Sequence, residues 1–190
     1  TGHGVPGAMM SMIGNEILSH IVDDRKITRP DVILEEMDKS VSRLLGRNED
    51  GHQMRDGMDL SLCTIDKKLG MLSFAGAHNS GILVQDGHLK IMDASKHSIG
   101  GATNAPFKQF ERTNYTIQKG DRIYLYSDGF YDQFGGPKGK KFYKKNLIRL
   151  IDSIKTEPMK VQGEIVEQTF QEWKGDEPQV DDVTLIGIEI

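Results

Sequence analysis

The sequence predicts an α+β fold in which antiparallel sheets are covered by helices. Three observations carry this expectation. Apolar residues recur at helical spacing as far as Leu45, the period drops to two from Met58 onward, and helical spacing returns after Lys144. Strands in a consecutive run, bracketed by helix pairs, point away from alternating βαβ units.

The elements follow in order. Pro6-Gly7 leads into a helix from about Ala8 to Val22, in which Met9, Ile13, Ile17 and Ile21 repeat every four residues as an apolar stripe. Asp23-Asp24-Arg25-Lys26 ends it. A second helix is expected from Thr28, where Thr28-x-x-Asp31 resembles a capping box and Pro30 sits in the first turn. Its buried face is Ile33, Met37, Val41 and Leu44 or Leu45, with Gly46 as the stop. Arg47 to Gly57 is a polar loop. Alternation from Met58 to Ile65 reads as a strand, and Leu69 to Ala75 as its neighbour after a turn at Asp66-Lys67-Lys68. Ile82–Val84 and Leu89–Ile91 flank Asp86-Gly87, a strong hairpin signal. Further strands are expected at Arg112–Ile117 and Arg122–Tyr126, and the second delivers Ser127-Asp128-Gly129. After a basic, Gly-rich loop come helices at Lys144–Ser153 and Met159–Trp173, the latter burying Val161, Ile165, Thr169, Phe170 and Trp173. Val183–Ile190 closes the chain as a strand with Ile186, Ile188 and Ile190 on one face.

Composition narrows the function. A chain of 190 residues suits one domain, with a core large enough to need no disulfide. Its one cysteine, Cys63, forms no internal bridge and suits a reducing cytoplasm. No apolar run approaches a membrane span, so no membrane contact is expected of this domain. A net charge of −4 lacks the basic excess of a general nucleic-acid binder.

Chemistry points first to Asp128 and to the pair Asp181-Asp182. Asp128 follows one strand and Asp181-Asp182 precedes the last. If those strands are neighbours, carboxylates converge at one sheet end, where a hard cation such as Mg²⁺ or Mn²⁺ relieves their repulsion. Asp and Gly at strand ends also make ordinary turns. His3 lies in a Gly-rich stretch ahead of a helix, where backbone N–H groups favour an anion, although no Gly-Lys-Ser/Thr follows to make a P-loop. His78 falls at a strand end and reads as a hydrogen-bonded structural histidine. Cys63 alternates with apolar neighbours and reads as a packed thiol. Lys138-Gly139-Lys140-Lys141 reads as a solvated basic loop.

Five segments in order carry a resemblance: Thr1-Gly2-His3-Gly4-Val5-Pro6-Gly7-Ala8, Asp56-Gly57-Met58-Asp59, Ala75-Gly76-Ala77-His78-Asn79, Tyr126-Ser127-Asp128-Gly129-Phe130 and Asp181-Asp182-Val183-Thr184. Together they resemble the SpoIIE-type bacterial members of the metal-dependent protein phosphatase (PPM, protein phosphatase 2C-like) superfamily, from the first residue to the last. The resemblance implies an α-β-β-α sandwich of two antiparallel sheets flanked by helices, one domain over residues 1–190. It implies two Mn²⁺ or Mg²⁺ ions held mainly by aspartates, with Asp128 and Asp181 on ligand positions and Asp182 beside them. A metal-activated water then attacks phosphoserine or phosphothreonine. His3 falls on no firm general-acid position and stays a candidate catalytic residue. The implied partners are a phosphorylated regulator of the anti-anti-sigma type and an upstream sensory or dimerising module. The helices near the start match the region that couples such partners to the metal site.

The family motif reads Asp-x-Thr-Gly-His-Gly, whereas the sequence begins at Thr1. The expectation is therefore of a fold lacking its first strand or strands, with an incomplete metal site and no catalysis by these 190 residues alone. A bared sheet edge would then favour self-association, including a homodimer. Two other readings stand beside the phosphatase: a non-catalytic interaction module of the same fold, and a hydrolase of sugar or nucleotide phosphates.

Overall fold

In the computed structural model, which describes residues 4–45, 57–101 and 108–190, a pair of helices, a run of strands and a second pair of helices follow one another as the periodicities require. Helices α1 (Gly4–Ser19) and α2 (Pro30–Leu45) come first, followed by strands β1 (Gly57–Met58), β2 (Leu60–Asp66), β3 (Met71–Ala77), β4 (Gly81–Gln85) and β5 (His88–Met92). Then come β6 (Ile99–Gly100), β7 (Arg112–Thr116), β8 (Arg122–Tyr126), the short α3 (Gly129–Asp132), β9 (Phe134–Gly135) and β10 (Lys140–Lys141). Helices α4 (Lys144–Ile154) and α5 (Met159–Lys174) and strand β11 (Leu185–Glu189) complete the order. The chain divides into two units, Thr1–Ser80 with Met92–Ile117, and Gly81–Ile91 with Gln118–Ile190.

The first unit is built on a three-stranded antiparallel sheet in the order β2-β3-β7, with Leu60 opposite Ala77 and Met71 opposite Thr116. Ala75 and Ala77 are small, so α2 packs directly over β3 through Ile33, Leu34, Met37 and Val41. Leu44 is 64% exposed and does not join that face. In α1 the expected stripe shifts: Met9 is exposed while Met10 and Ile21 are buried. Steps of four residues drift by about 40° each around a 3.6-residue helix, so a strict four-residue repeat leaves the core after a few turns. The helix runs on into a π turn, His20–Asp24, that turns Ile21 inward.

Helix α2 begins at Pro30, two residues after the expected Thr28, and Asp31 bonds Arg29 rather than closing a capping box. Deeper in α2, Asp38 accepts hydrogen bonds from the Gly100 N–H at 2.8 Å and Lys108 Nζ at 3.1 Å. Lys108 also donates to the carbonyls of Ser98 and Gly100. This buried ion pair ties α2 to the small β1-β6 ladder, and removing either partner would strand a charge at about 3–5 kcal/mol.

The second unit carries a four-stranded antiparallel sheet in the order β11-β8-β4-β5. The β4-β5 hairpin turns through Asp86 (φ +49°) and Gly87 (φ +75°), the two consecutive left-handed residues that an Asp-Gly turn supplies. Ile82, Val84, Tyr124 and Tyr126 form its buried face against Leu147, Ile151 and Ile154 of α4 and Val166 and Phe170 of α5. The buried side of α5 is centred on Gln162, Val166 and Phe170, with Gln162 accepting the buried Tyr124 hydroxyl at 2.7 Å. Strand β11 lies at the sheet edge, and Ile186 and Ile188 are exposed.

The architecture is therefore mixed α and β, with two antiparallel sheets flanked by helices, as the sequence predicts. Among the described residues, no helix is long and apolar enough to cross a membrane.

Candidate functional site

The last residue of β8 and the first of β11 are partners, Tyr126 opposite Leu185. Chain leaving β8 and chain entering β11 consequently run side by side, and both carry aspartates. Ser127 N–H donates to the Thr184 carbonyl at 2.9 Å, and Thr184 N–H donates to Ser127 Oγ at 2.9 Å. The Ser127 hydroxyl also donates to the Asp182 carbonyl at 3.1 Å. A Cβ on Gly129 would lie 2.2 Å from that same carbonyl oxygen, so the close approach requires glycine. The Asp128-Gly129 and Asp181-Asp182 segments thus meet at one sheet end.

Each carboxylate has a distinct setting. Asp128 is exposed and precedes α3, yet its side chain makes no capping hydrogen bond to that helix. Its carbonyl accepts from Asp132 N–H at 2.9 Å. Asp181 is half-buried, and its Oδ1 accepts the Asp182 N–H at 2.8 Å, which orients the carboxylate. Asp182 is exposed. His3 lies outside the described residues.

Of two further residues in this neighbourhood, one stands in a sequence motif with no role given to it and the other escaped the sequence reading. Ser127 supplies the hydroxyl that joins the two segments. Gln133 is fully buried, donates from Nε2 to the carbonyls of Pro178 and Phe134 at 2.9 Å each, and accepts Val180 N–H at 3.3 Å. It fixes the chain just ahead of Asp181. Nothing in the local pattern Asp132-Gln133-Phe134 marks it, since two of its three partners, Pro178 and Val180, lie forty-five and forty-seven residues away.

Cys63 and His78 lie elsewhere. Cys63 is half-buried, and desolvation pushes its thiol up to about 12, far from a thiolate nucleophile. His78 is exposed in a left-handed conformation, and it is its backbone N–H, not its ring, that bonds the Ser95 carbonyl at 2.8 Å.

Oxygen donors of this kind suit a hard divalent cation in chemistry, but not yet in number. Such an ion takes about six oxygens, and among the described residues no group of three or more His, Cys, Asp or Glu side chains is placed to hold one. Asp128, Asp181 and Asp182 offer oxygens of the right chemistry but form no such group by themselves.

Two antiparallel sheets with flanking helices match the architecture of the PP2C-like phosphatases. The chain belongs to the SpoIIE family: the model described as Stage II sporulation protein E (SpoIIE) matches residues 1–190. It is similar to the SiaA-PP2C domain of Pseudomonas aeruginosa, with 27% identity and a TM-score of 0.85 over 99% of this chain and 72% of that one. The PP2C phosphatase domain and regulatory-domain fragment of the cell fate determinant SpoIIE from Bacillus subtilis shares the fold at 17% identity and a TM-score of 0.73. A structure of the RsbU and RsbW domains of Rv1364c from Mycobacterium tuberculosis contains the fold as well, at 18% and 0.73. All of this chain aligns with each of those two, spanning 52% and 50% of their lengths. No curated protein matches the chain.

Proposed function

We propose that residues 1–190 are one SpoIIE-like phosphatase domain that hydrolyses phosphoserine or phosphothreonine on a protein in cytoplasmic bacterial signalling. The observation that supports this reading most directly is the pairing of Ser127 with Thr184, which brings Asp128 beside Asp181-Asp182 in a member of the SpoIIE family. Asp128 and Asp181, with Asp182 as neighbour, would hold part of a two-ion Mn²⁺ or Mg²⁺ site. Such ions, when bound, supply an acidified water and neutralise phosphoryl charge. The chain's own part is positional. Ser127 and Gly129 let the two aspartate segments close on each other, Asp181 is oriented by the following N–H, and Gln133 holds the approach to it. The described carboxylates are only part of the ligand set that such a site needs. The partner proposed is a small phosphoserine regulator of the anti-anti-sigma type, delivered under control of a sensory or dimerising module.

The test is hydrolysis of phosphoserine peptides and of a small aryl phosphate by a chain extended upstream, with and without Mn²⁺. Metal-dependent release of phosphate is expected. An extended, folded chain that releases none with either Mn²⁺ or Mg²⁺ would overturn the enzyme reading in favour of an interaction module of the same fold.

A further inference from the structure

The chain is acidic overall, yet residues 133–151 contain Lys138, Lys140, Lys141, Lys144, Lys145 and Arg149 and not one Asp or Glu. A quarter of the 24 cationic side chains thus occupies a tenth of the length. We infer that this lysine-rich hairpin and helix start form a docking surface for an acidic segment of a protein partner, next to the aspartate rim. The inference rests on the phosphatase reading for what the docked segment is: the chain flanking a phosphorylated residue.

Geometry makes the charge a fixed surface rather than a loose loop. Strands β9 and β10 pair with Lys140 opposite Gly135, and Gly136 N–H bonds the Trp173 carbonyl at 2.7 Å. Phe142 N–H bonds the Gln133 carbonyl at 3.0 Å, and Tyr143 N–H bonds that of Tyr131 at 2.7 Å. Two lysine head groups are held as well. Lys144 Nζ sits 5.5 Å from the Tyr126 ring centre and 6.0 Å from that of Tyr131. Lys141 Nζ lies 5.8 Å from the Phe134 ring centre and 3.2 Å from Asp132. Pre-ordered cations lose less rotamer freedom when a ligand binds. Lys138, Lys140 and Lys145 remain exposed, as do Phe134 and Tyr143, which offer apolar contact between the charges.

Position decides the kind of partner. Tyr126 is two residues before Asp128, and Tyr131 and Asp132 lie in the helix that follows it, so the patch adjoins the rim within one unit. An extended polyanion, whether a lipid surface or a nucleic acid, would lay further phosphates against Asp132, Asp128 and Asp181-Asp182. A short acidic stretch of polypeptide can instead end where the aspartates begin. Opposite charges placed this way raise the association rate and select among partners.

The experiment uses a fluorescein-labelled peptide with a serine between Asp and Glu residues, and its Asn/Gln counterpart, titrated with the full chain by anisotropy. The acidic peptide should bind at least about tenfold more tightly. Its affinity should fall steeply as salt rises from about 50 to 200 mM. The triple variant Lys138→Glu/Lys140→Glu/Lys145→Glu should lose at least about tenfold in affinity. Should that variant not fold, Lys138→Gln/Lys140→Gln/Lys145→Gln should still lose several-fold. Equal binding of the two peptides, or unchanged binding by a folded triple variant, overturns the proposal. So does tighter binding of phosphatidylglycerol vesicles or a single-stranded oligodeoxynucleotide than of the acidic peptide. Binding is read without turnover, so a chain that docks the peptide but never hydrolyses phosphoserine upholds the surface and sinks only the assigned reaction.

Discussion

Ser127 and Thr184 bond each other twice, Ser127 N–H to the Thr184 carbonyl and Thr184 N–H to Ser127 Oγ, both at 2.9 Å. One bond extends the β8-β11 ladder by a step. The other replaces a ladder bond with a side chain, and it is there that the strands stop and the aspartates begin.

Gly129→Ala tests how tight that junction is. The added methyl would sit 2.2 Å from a backbone oxygen, which cannot swing away as a side chain can. A loss of about 1–3 kcal/mol is expected from overpacking, together with weaker metal-dependent activity in an extended chain. Guanidinium unfolding measures the first and phosphate release the second; a variant as stable as the parent would mean the segments are looser than described.

Asp128→Asn separates ligand chemistry from fold. The side chain is exposed and makes no capping bond, so the melting temperature should hold. Mn²⁺ affinity of an extended chain, followed by calorimetry, should drop by more than the roughly 10–100-fold that outer partners of metal sites cost. Full activity at saturating Mn²⁺ would remove Asp128 from the ligand set.

Gln133→Leu keeps volume but abandons the Pro178 and Phe134 carbonyls and the Val180 N–H. Phe134 and Pro178 are exposed and Val180 is half-buried, so water replaces part of what is lost, and this single change should lower stability by about 1–3 kcal/mol in chemical denaturation. Its effect on activity should exceed that of a surface change, because the chain entering Asp181 is released.

Acid should loosen the first unit. Burial opposes ionisation of Asp31, but the Arg29 hydrogen bond and charge, with Arg112 beside it, outweigh that effect and hold its carboxyl below the ordinary 3.8. Glu36 lies below its ordinary 4.5 through hydrogen bonds from Lys39 and Arg25. For carboxyls lowered on folding, the stabilisation is complete above the ordinary value and disappears as pH falls through the lowered one. Thermal melts taken from neutral pH to below pH 3.8 should therefore steepen at the acid end, and Asp31→Asn should flatten part of that fall. An identical slope in the variant would show that Asp31 contributes nothing to it.

Local rules made much of the fold legible. The Asp86-Gly87 turn, the Arg122–Tyr126 strand and the starts of α4 and α5 depend on neighbours in sequence, and they stand where spacing puts them. What escaped depends on distant partners. Met10 rather than Met9 faces the core because a real helix drifts from a four-residue repeat. Gln162, a polar residue, sits at the centre of the buried side of α5 because Tyr124 bonds it from thirty-eight residues away. At the site, aspartates beside glycine were visible as residue types. Their meeting required the β8-β11 pairing, and the Ser127 and Gln133 ties that shape it have no sequence signature of their own.

Trp173, the single tryptophan of the chain, touches the lysine hairpin from three directions. Its carbonyl receives Gly136 N–H, its indole N–H reaches the Gln133 carbonyl at 3.1 Å, and its ring stacks edge-on with Phe142, the ring centres 5.2 Å apart. Ultraviolet emission of the unlabelled protein is therefore a native optical gauge of the hairpin. Anything that tugs on those cations will recolour it.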